Sequence, residues 1–150
     1  MSNIDILRKS EPFSKLDDDK LDALEKLCTN ETFPSGTVIL KQDKGDKFFV
    51  IEDGLVGIIY EVGALSQRQV QTALKYDVFG WSTMVEPFRC RATAKAIKKT
   101  STLSFNGKEL YDFCSRDPAA GLIITRGLFN VVRKRLRESY IQLLGVTGPV

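Results

Sequence analysis

The spacing of apolar residues changes twice along the chain. Between Leu21 and Leu27, leucines recur every three residues, which is typical of the buried face of a helix. From Glu31 onward, short apolar runs are separated by turn residues, which indicates β-strands. Helical spacing returns after Asn106 or Gly107. The pattern therefore predicts helices at both ends of the chain and strands between them.

Two helices are predicted at the N-terminus, within residues 1–28. The first covers residues 3–11 and ends before Pro12, because proline disfavours helix in the residue before it. The second covers residues 17–28. Its acidic start, Asp17 to Asp19, suits the N-cap and the positive end of the helix.

Seven or eight short strands are predicted between residues 29 and 106, because glycines and other turn residues punctuate the apolar runs. The pair Asp53-Gly54 lies between two such runs and predicts a tight hairpin. No long helix separates the strands, so βαβ units are not expected. The predicted fold class is mainly β with flanking helices: a sandwich or a jelly-roll barrel, that is, a double-stranded β-helix.

Two more helices are predicted in residues 107–144, a short one at 108–115 and a long one from Ala119 to Leu144. One face of the long helix repeats every seven residues and consists of Leu122, Phe129, Leu136 and Leu143, with Val132 at the accompanying d position. A second apolar flank consists of Ile124, Leu128, Val131 and Tyr140. If one flank packs on the barrel and the heptad line on a second copy, the chain forms a homodimer through this helix. The alternative is that both flanks belong to the core.

The long helix also carries a basic segment, which consists of Arg133, Lys134, Arg135 and Arg137, with Arg126 before it. We interpret it as a solvated face, since cations are favourable near the C-terminal end of a helix. Contact with nucleic acid or with an anionic membrane is the alternative.

Composition narrows the functional classes. The 150 residues predict a single domain, residues 1–150, and the net charge of +3 is too small to argue for nucleic acid by itself. There is no apolar run long enough for a transmembrane helix and no signal peptide, and Cys28, Cys90 and Cys114 are far apart, so a cytoplasmic location is expected. Histidine is absent, which excludes Ser-His and Cys-His catalysis. No enzyme activity is expected.

Candidate chemistry lies in residues 79–96. Gly80 follows a predicted strand, a short helical turn can follow at residues 82–85, and Arg89 and Arg91 come after it. Free amides at a helix start, followed by positive charge, favour an anion. The alternative is a plain strand-turn-strand connection with two solvated arginines.

The whole layout resembles the cyclic nucleotide-binding domain, the sensor part of catabolite-activator-type regulators and of cyclic-nucleotide-dependent kinases. The resemblance extends from about Leu7 to Leu144. Phe33 to Ile39 is similar to the family's strand entry, and Gln42 to Gly54 is similar to its second signature. In the family's phosphate cassette, Phe79-Gly80 matches the opening, and Ala92-Thr93-Ala94-Lys95-Ala96 matches the closing strand.

Two positions of this cassette depart from the family. Trp81 stands where the family has the glutamate that holds the ribose hydroxyl, and Cys90 stands where it has the phosphate-binding arginine. Arg91 is expected to face away unless the strand is irregular, whereas Arg89 lies in a loop and can turn inward. The remaining donors are the amides of Gly80, Ser82 and Thr83, and the hydroxyls of Ser82, Thr83 and Thr93.

The resemblance implies a sensor that binds a small anionic ligand, a cyclic nucleotide or another, and relays binding through the C-terminal helix. The expected ligand-binding residues are Phe79, Gly80, Trp81, Ser82, Thr83, Arg89, Arg91, Ala92 and Thr93. No cofactor or metal is required, although cAMP or cGMP is a candidate ligand. No DNA-binding domain is expected after Leu144. The alternative is a dimeric interaction protein whose pocket is filled by Trp81.

Overall fold

The chain folds into two four-stranded antiparallel sheets that face each other, with helices at both ends of the sequence. This computed structural model describes residues 1–145; residues 146–150, the last part of the predicted domain, lie outside the described residues. The predicted jelly-roll barrel with flanking helices is confirmed. Within residues 1–145 no helix is both long and apolar enough to cross a membrane.

The N-terminal helices are short. They are α1 (Asn3–Lys9) and α2 (Asp18–Glu25). Ser2 caps α1 by accepting a hydrogen bond from the Asp5 amide, and the Asp17 side chain caps α2 as predicted, accepting one from the Lys20 amide.

Eight strands follow within residues 1–145, and strands that are consecutive in sequence often lie in different sheets. The strands are β1 (Thr29–Phe33), β2 (Val38–Leu40), β3 (Lys47–Asp53), β4 (Val56–Glu61), β5 (Gln67–Ala73), β6 (Val78–Phe79), β7 (Thr93–Ala96) and β8 (Thr100–Asn106). One sheet has the order β1-β8-β3-β6 and the other β2-β7-β4-β5. β5 is therefore an edge strand of the second sheet.

The prediction of a hairpin at Asp53-Gly54 is wrong. β3 and β4 belong to different sheets, and β3 pairs with β8 and β6 instead. Gly54 has a φ of +127°, and a Cβ there would clash with Thr100 at the start of β8. Only glycine allows the chain to turn between the sheets so close to another strand.

The core has two parts because β3 is covered on both faces. Side chains alternate along a strand, so Phe48 and Val50 face the helices while Phe49 and Ile51 face the barrel interior. Phe48 meets Phe13 edge-on at 6.0 Å between ring centroids. The apolar run of β3 thus belongs to a strand buried on both sides.

Two helices complete the described chain, α3 (Gly107–Arg116) and α4 (Pro118–Leu144). Ile124 of α4 is fully buried, whereas the predicted heptad line is exposed: Leu122 51%, Phe129 72%, Val132 41%, Leu136 49% and Leu143 83%. Because the heptad line is exposed, the alternative that both apolar flanks belong to the core is wrong for the described residues. Tyr140, assigned to the inner flank, is also exposed.

The basic segment of α4 is partly neutralised by the rest of the chain. Lys134 pairs with Glu11 at 3.0 Å, and Arg135 lies 3.6 Å from Asp77 and 3.2 Å from Glu138. The pair with Glu11 fastens the helix to the N-terminal segment and the pair with Asp77 fastens it to the barrel, while Glu138 lies on the same helix. All three contacts reduce the charge available to an anionic partner.

Candidate functional site

The turn after β6 shapes the candidate site. Gly80 has a φ of +79°, and a Cβ there would clash with the Lys47 carbonyl oxygen. A 3-10 helix, Trp81–Met84, follows directly; we call it the cassette helix. The helical turn predicted at residues 82–85 is present and begins one residue earlier. Phe79, just before it, stacks on Phe49 with 4.9 Å between ring centroids.

A cavity of about 200 Å³ opens beside this turn. It is lined by Leu40, Ile58, Tyr60, Val70, Gln71, Phe79, Gly80, Trp81, Ser82, Cys90, Arg91, Ala92, Thr93 and Ala94. Seven of the nine predicted ligand-binding residues are in this lining. The exceptions are Thr83 and Arg89. Tyr60 and Gln71 were not predicted, because they come from β4 and β5, far from the cassette in sequence.

Thr83 is turned into the protein. It is fully buried, and both its amide and its hydroxyl donate hydrogen bonds to the Gly80 carbonyl, at 3.1 and 2.6 Å. A Cβ on Gly107 would clash with it, which shows how closely α3 packs here. Thr83 therefore stabilises the cassette helix and lies away from the cavity.

The two arginines have different positions. Arg89 is exposed and its Nη1 donates to the Phe88 carbonyl at 3.0 Å, outside the cavity lining. Arg91 reaches the cavity lining, and its Nη1 lies 3.2 Å from Asp43 Oδ1 with 59% of its side chain exposed. Strand alternation does not turn Arg91 away, because β7 begins only at Thr93.

Cys90 ties the cassette to the loop between β2 and β3. It is 2% exposed, and its thiol donates to the Lys41 carbonyl at 3.0 Å. Its amide donates to Gly45, and its carbonyl accepts from Asp43. Cys90 is thus a packed small residue, and no arginine fork is available at this position.

A carboxylate lies behind the cavity wall. The Thr93 hydroxyl donates to Glu61 Oε2 at 2.9 Å and accepts from the Gln42 amide at 3.0 Å. Lys41 pairs with Glu61 at 2.8 Å. The Lys41 ammonium and the Thr93 hydroxyl together hold the pKa of Glu61 below its ordinary value. Both hydrogen-bonding roles of Thr93 are therefore met within the protein. No motif marks Glu61, since its partners are distant in sequence.

Trp81 connects the cavity with a second depression. An open apolar groove of about 660 Å³ lies between the cassette helix, α3 and α4. It is lined by Trp81, Met84, Val85, Tyr111, Cys114, Ser115, Pro118, Gly121, Leu122, Thr125, Leu128, Phe129 and Val132. Burial raises the pKa of the Cys114 thiol to about 11, so this thiol is protonated at neutral pH. Trp81 is the residue common to both linings.

The C-terminal half of α4 is attached to the edge strand β5 by polar contacts. Gln142 Nε2 donates to the Val70 carbonyl at 2.6 Å, and Arg135 Nη1 donates to the Thr72 carbonyl at 3.3 Å. In return, Gln71 Nε2 donates to the Arg135 carbonyl at 3.3 Å. We call this group the β5–α4 latch. Val70 and Gln71 also line the cavity, so one strand contacts both features.

These features agree with a known family. A family model described as the cyclic nucleotide-binding domain matches residues 30–117, more than half of the chain. The chain belongs to this family. The match contains the cassette, the cavity lining and Glu61. Domains of this family are regulatory, and the described residues contain no group of three potential metal ligands.

Solved structures give the same result at the level of the fold. A Geobacter metallireducens protein, provisionally described as a cyclic nucleotide-binding protein, is 26% identical, with a TM-score of 0.78, over 91% of this chain and 99% of that one. The catabolite activator protein of Thermus thermophilus is 20% identical, with a TM-score of 0.72, over 89% and 62% of the two chains. The regulatory domain of Toxoplasma gondii PKA, with cAMP, is 18% identical, with a TM-score of 0.66, over 79% and 44%. No curated protein matches significantly.

Proposed function

We propose that this cyclic nucleotide-binding domain is a regulatory sensor that binds a small anionic ligand in the barrel cavity and relays binding through α4. The observation that carries the proposal is the position of Trp81, which lines both the cavity and the groove against α4. A ligand that contacts this indole alters the packing between the cassette helix and α4. The role is regulatory rather than catalytic.

The binding residues in this proposal are those of the cavity lining. Arg91 supplies the positive charge at the mouth, Ser82 supplies a hydroxyl, and Phe79, Trp81 and Ala92 supply apolar contact. Thr93 shapes the wall through its bonds to Glu61 and Gln42. The Toxoplasma gondii structure contains cAMP, so cAMP and cGMP are the first ligands to test.

The relay uses two routes from cavity to helix. The first is the contact of Trp81 with the groove that Leu122, Phe129 and other α4 residues line. The second is β5, whose Gln71 lines the cavity and donates to the Arg135 carbonyl. A ligand that binds one arrangement of these groups more tightly shifts the population of α4 positions.

The experiment is a titration followed by the fluorescence of Trp81, the single tryptophan of the chain. The ligands are cAMP, cGMP and benzoate. Saturable change with at least one of them, weakened about tenfold by Arg91→Gln and unaffected by Arg89→Gln, supports the proposal, since a charge-assisted hydrogen bond contributes about 1.5 kcal/mol or more. Arg89→Gln is the matched control because Arg89 lies outside the cavity lining. A folded protein that responds to none of the three contradicts it.

We also propose that two copies associate through the exposed heptad line of α4. The five predicted contact residues are Leu122, Phe129, Val132, Leu136 and Leu143. The neighbouring groove residues Val85 and Tyr111 are exposed as well, which extends the apolar surface toward the cassette. A dimer role without any ligand is the less supported alternative, because a cavity of about 200 Å³ remains beside Trp81. The three free thiols fit a cytoplasmic location.

A further inference from the structure

The size of the cavity limits the ligand. Its volume is about 200 Å³. Pockets that hold drug-sized ligands have volumes of about 300–1,000 Å³. A dry cavity of about 150 Å³ in another protein accepts a single benzene. The volume here therefore fits one ring or two fused rings better than a base, a ribose and a phosphate together.

The walls favour an apolar, ring-shaped body. Eight of the fourteen lining residues have aliphatic or aromatic side chains, among them Tyr60, Phe79 and Trp81. The ribose hydroxyl of a nucleotide finds no carboxylate in this lining, since Trp81 stands at the expected position. Burying a polar group without a hydrogen-bond partner is unfavourable. An aromatic hydrocarbon ring carries no such group.

The charge of the site lies at the mouth. Among the described residues that line the cavity, Arg91 alone carries a charge, and 59% of its side chain is exposed. One guanidinium offers a fork of two parallel N–H groups, which matches the two oxygens of a carboxylate. Arg91 lies 3.2 Å from Asp43. A ligand carboxylate would replace Asp43 as the partner of Arg91 or would share the guanidinium with it.

The inner end of the cavity is unfavourable for an anion. Thr93 has no donor left for a ligand, because its hydroxyl already donates to Glu61 Oε2, with 2.9 Å between the two oxygens. The pKa of Glu61 is lowered by Lys41 and Thr93, so this carboxylate is negative at neutral pH. The Lys41 ammonium lies 2.8 Å from Glu61, so the pair carries no net positive charge that would attract an anion to this end of the cavity. A ligand is therefore best accommodated with its ring inside and a single negative charge at the mouth.

We propose that the cavity binds an aromatic monocarboxylate of one or two fused rings, with the ring beside Tyr60 and Trp81 and the carboxylate on Arg91. This inference rests on the proposed sensor function and names the chemical class of its ligand. A carboxylate ligand would distinguish this chain from a sensor of cyclic nucleotides, because the buried Cys90 stands where the family has its phosphate-binding arginine.

The test is titration calorimetry of the full chain with four probes: 2-naphthoate, 2-naphthalenemethanol, 2-naphthyl phosphate and cAMP. We expect 2-naphthoate to bind about tenfold more tightly than each of the other three, which corresponds to about 1.4 kcal/mol. Arg91→Gln should reduce the affinity for 2-naphthoate to that for the neutral alcohol, while Arg89→Gln leaves it unchanged. Circular dichroism confirms that both variants are folded.

The other outcomes are distinct. If 2-naphthyl phosphate or cAMP binds as tightly as 2-naphthoate, the carboxylate class is wrong and the sensor function stands. Equal affinity for the alcohol and the carboxylate removes Arg91 from recognition and also overturns the inference. If none of the four probes binds to the folded protein, this inference is contradicted. The proposed function is contradicted as well if cGMP and benzoate also fail to bind.

Discussion

The Thr93 hydroxyl lies 2.9 Å from a carboxylate oxygen of Glu61, and this hydrogen bond links the cassette strand β7 to the end of β4. Lys41 and Gln42 complete the network from the other side. A charged group is thereby fixed directly behind the cavity wall. The same network stabilises the barrel and occupies the hydrogen-bonding groups of Thr93 at the cavity wall.

The first prediction concerns acid stability. The folded-state pKa of Glu61 is lowered, chiefly by Lys41 and then by Thr93, so its stabilising contribution is fully present above its ordinary pKa of 4.5. That contribution is lost as the pH falls below 4.5 through the folded-state value. Glu61→Gln should therefore unfold at lower urea concentration near neutral pH, with the difference from wild type shrinking at acid pH. Glu86→Gln, an exposed carboxylate, is the control. A difference that does not change with pH would contradict the assignment.

The second prediction distinguishes two costs of replacing Gly80 by alanine: the backbone strain of a positive φ and the steric clash of the new Cβ with a neighbour. Gly80 and Gly63 both have positive φ, +79° and +73°, but a Cβ meets the Lys47 carbonyl only at Gly80 and meets nothing within 4 Å at Gly63. Gly63→Ala should cost about 1 kcal/mol of unfolding free energy from its backbone conformation. Gly80→Ala should cost about 3 kcal/mol, because the cassette turn must also shift. Urea unfolding measures both. Equal costs would show that Lys47 does not constrain the turn.

The third prediction concerns association through α4. Leu136→Asp places a charge in the exposed heptad line, where Leu136 is 49% exposed, and should convert a dimer to a monomer. Leu65→Asp makes the same chemical change at a fully exposed leucine outside α4 and should leave the mass unchanged. Light scattering after size-exclusion chromatography gives the mass. A monomeric wild-type protein would refute the dimer.

The fourth prediction concerns the β5–α4 latch. Arg135→Met removes the donor to the Thr72 carbonyl and the ion pair with Asp77. Amide exchange in residues 132–144 should become about tenfold faster, which corresponds to roughly 1.4 kcal/mol of local stability. Arg133→Met is the matched control, because Arg133 is exposed and bonds to Asn130 on the same helix. Equal exchange in the two variants would show that the latch does not hold the helix.

The helices, the strands and the jelly-roll class could be predicted from the sequence, because the spacing of apolar residues that marks a helix or a strand is a local property. The bounds of α4 and the position of the cassette turn follow from spacing and from Gly80. Asp53-Gly54 misled for the same reason. A local turn signal is identical for a hairpin and for a corner between sheets, and the choice depends on β8, whose residues follow about fifty positions later.

The site was predictable only in part. Proximity to the cassette identified Trp81 and Arg91, which do line the cavity. It also suggested Thr83 and Arg89, whose side chains are directed elsewhere by the Gly80 and Phe88 carbonyls. Glu61 was missed, because its role depends on a hydrogen bond to a residue 32 positions away. Such contacts become visible only when the strands are assembled.

The most direct test of the sensor account is hydrogen exchange of the wild-type protein with and without a saturating ligand, taken as 2-naphthoate or, if that fails to bind, cAMP. Because Val70 and Gln71 line the cavity and also contact α4, we predict slower exchange in residues 67–73 and in residues 132–144 together. Protection confined to the cavity, with α4 unchanged, would contradict the relay. Unchanged exchange throughout the chain would contradict the binding site itself.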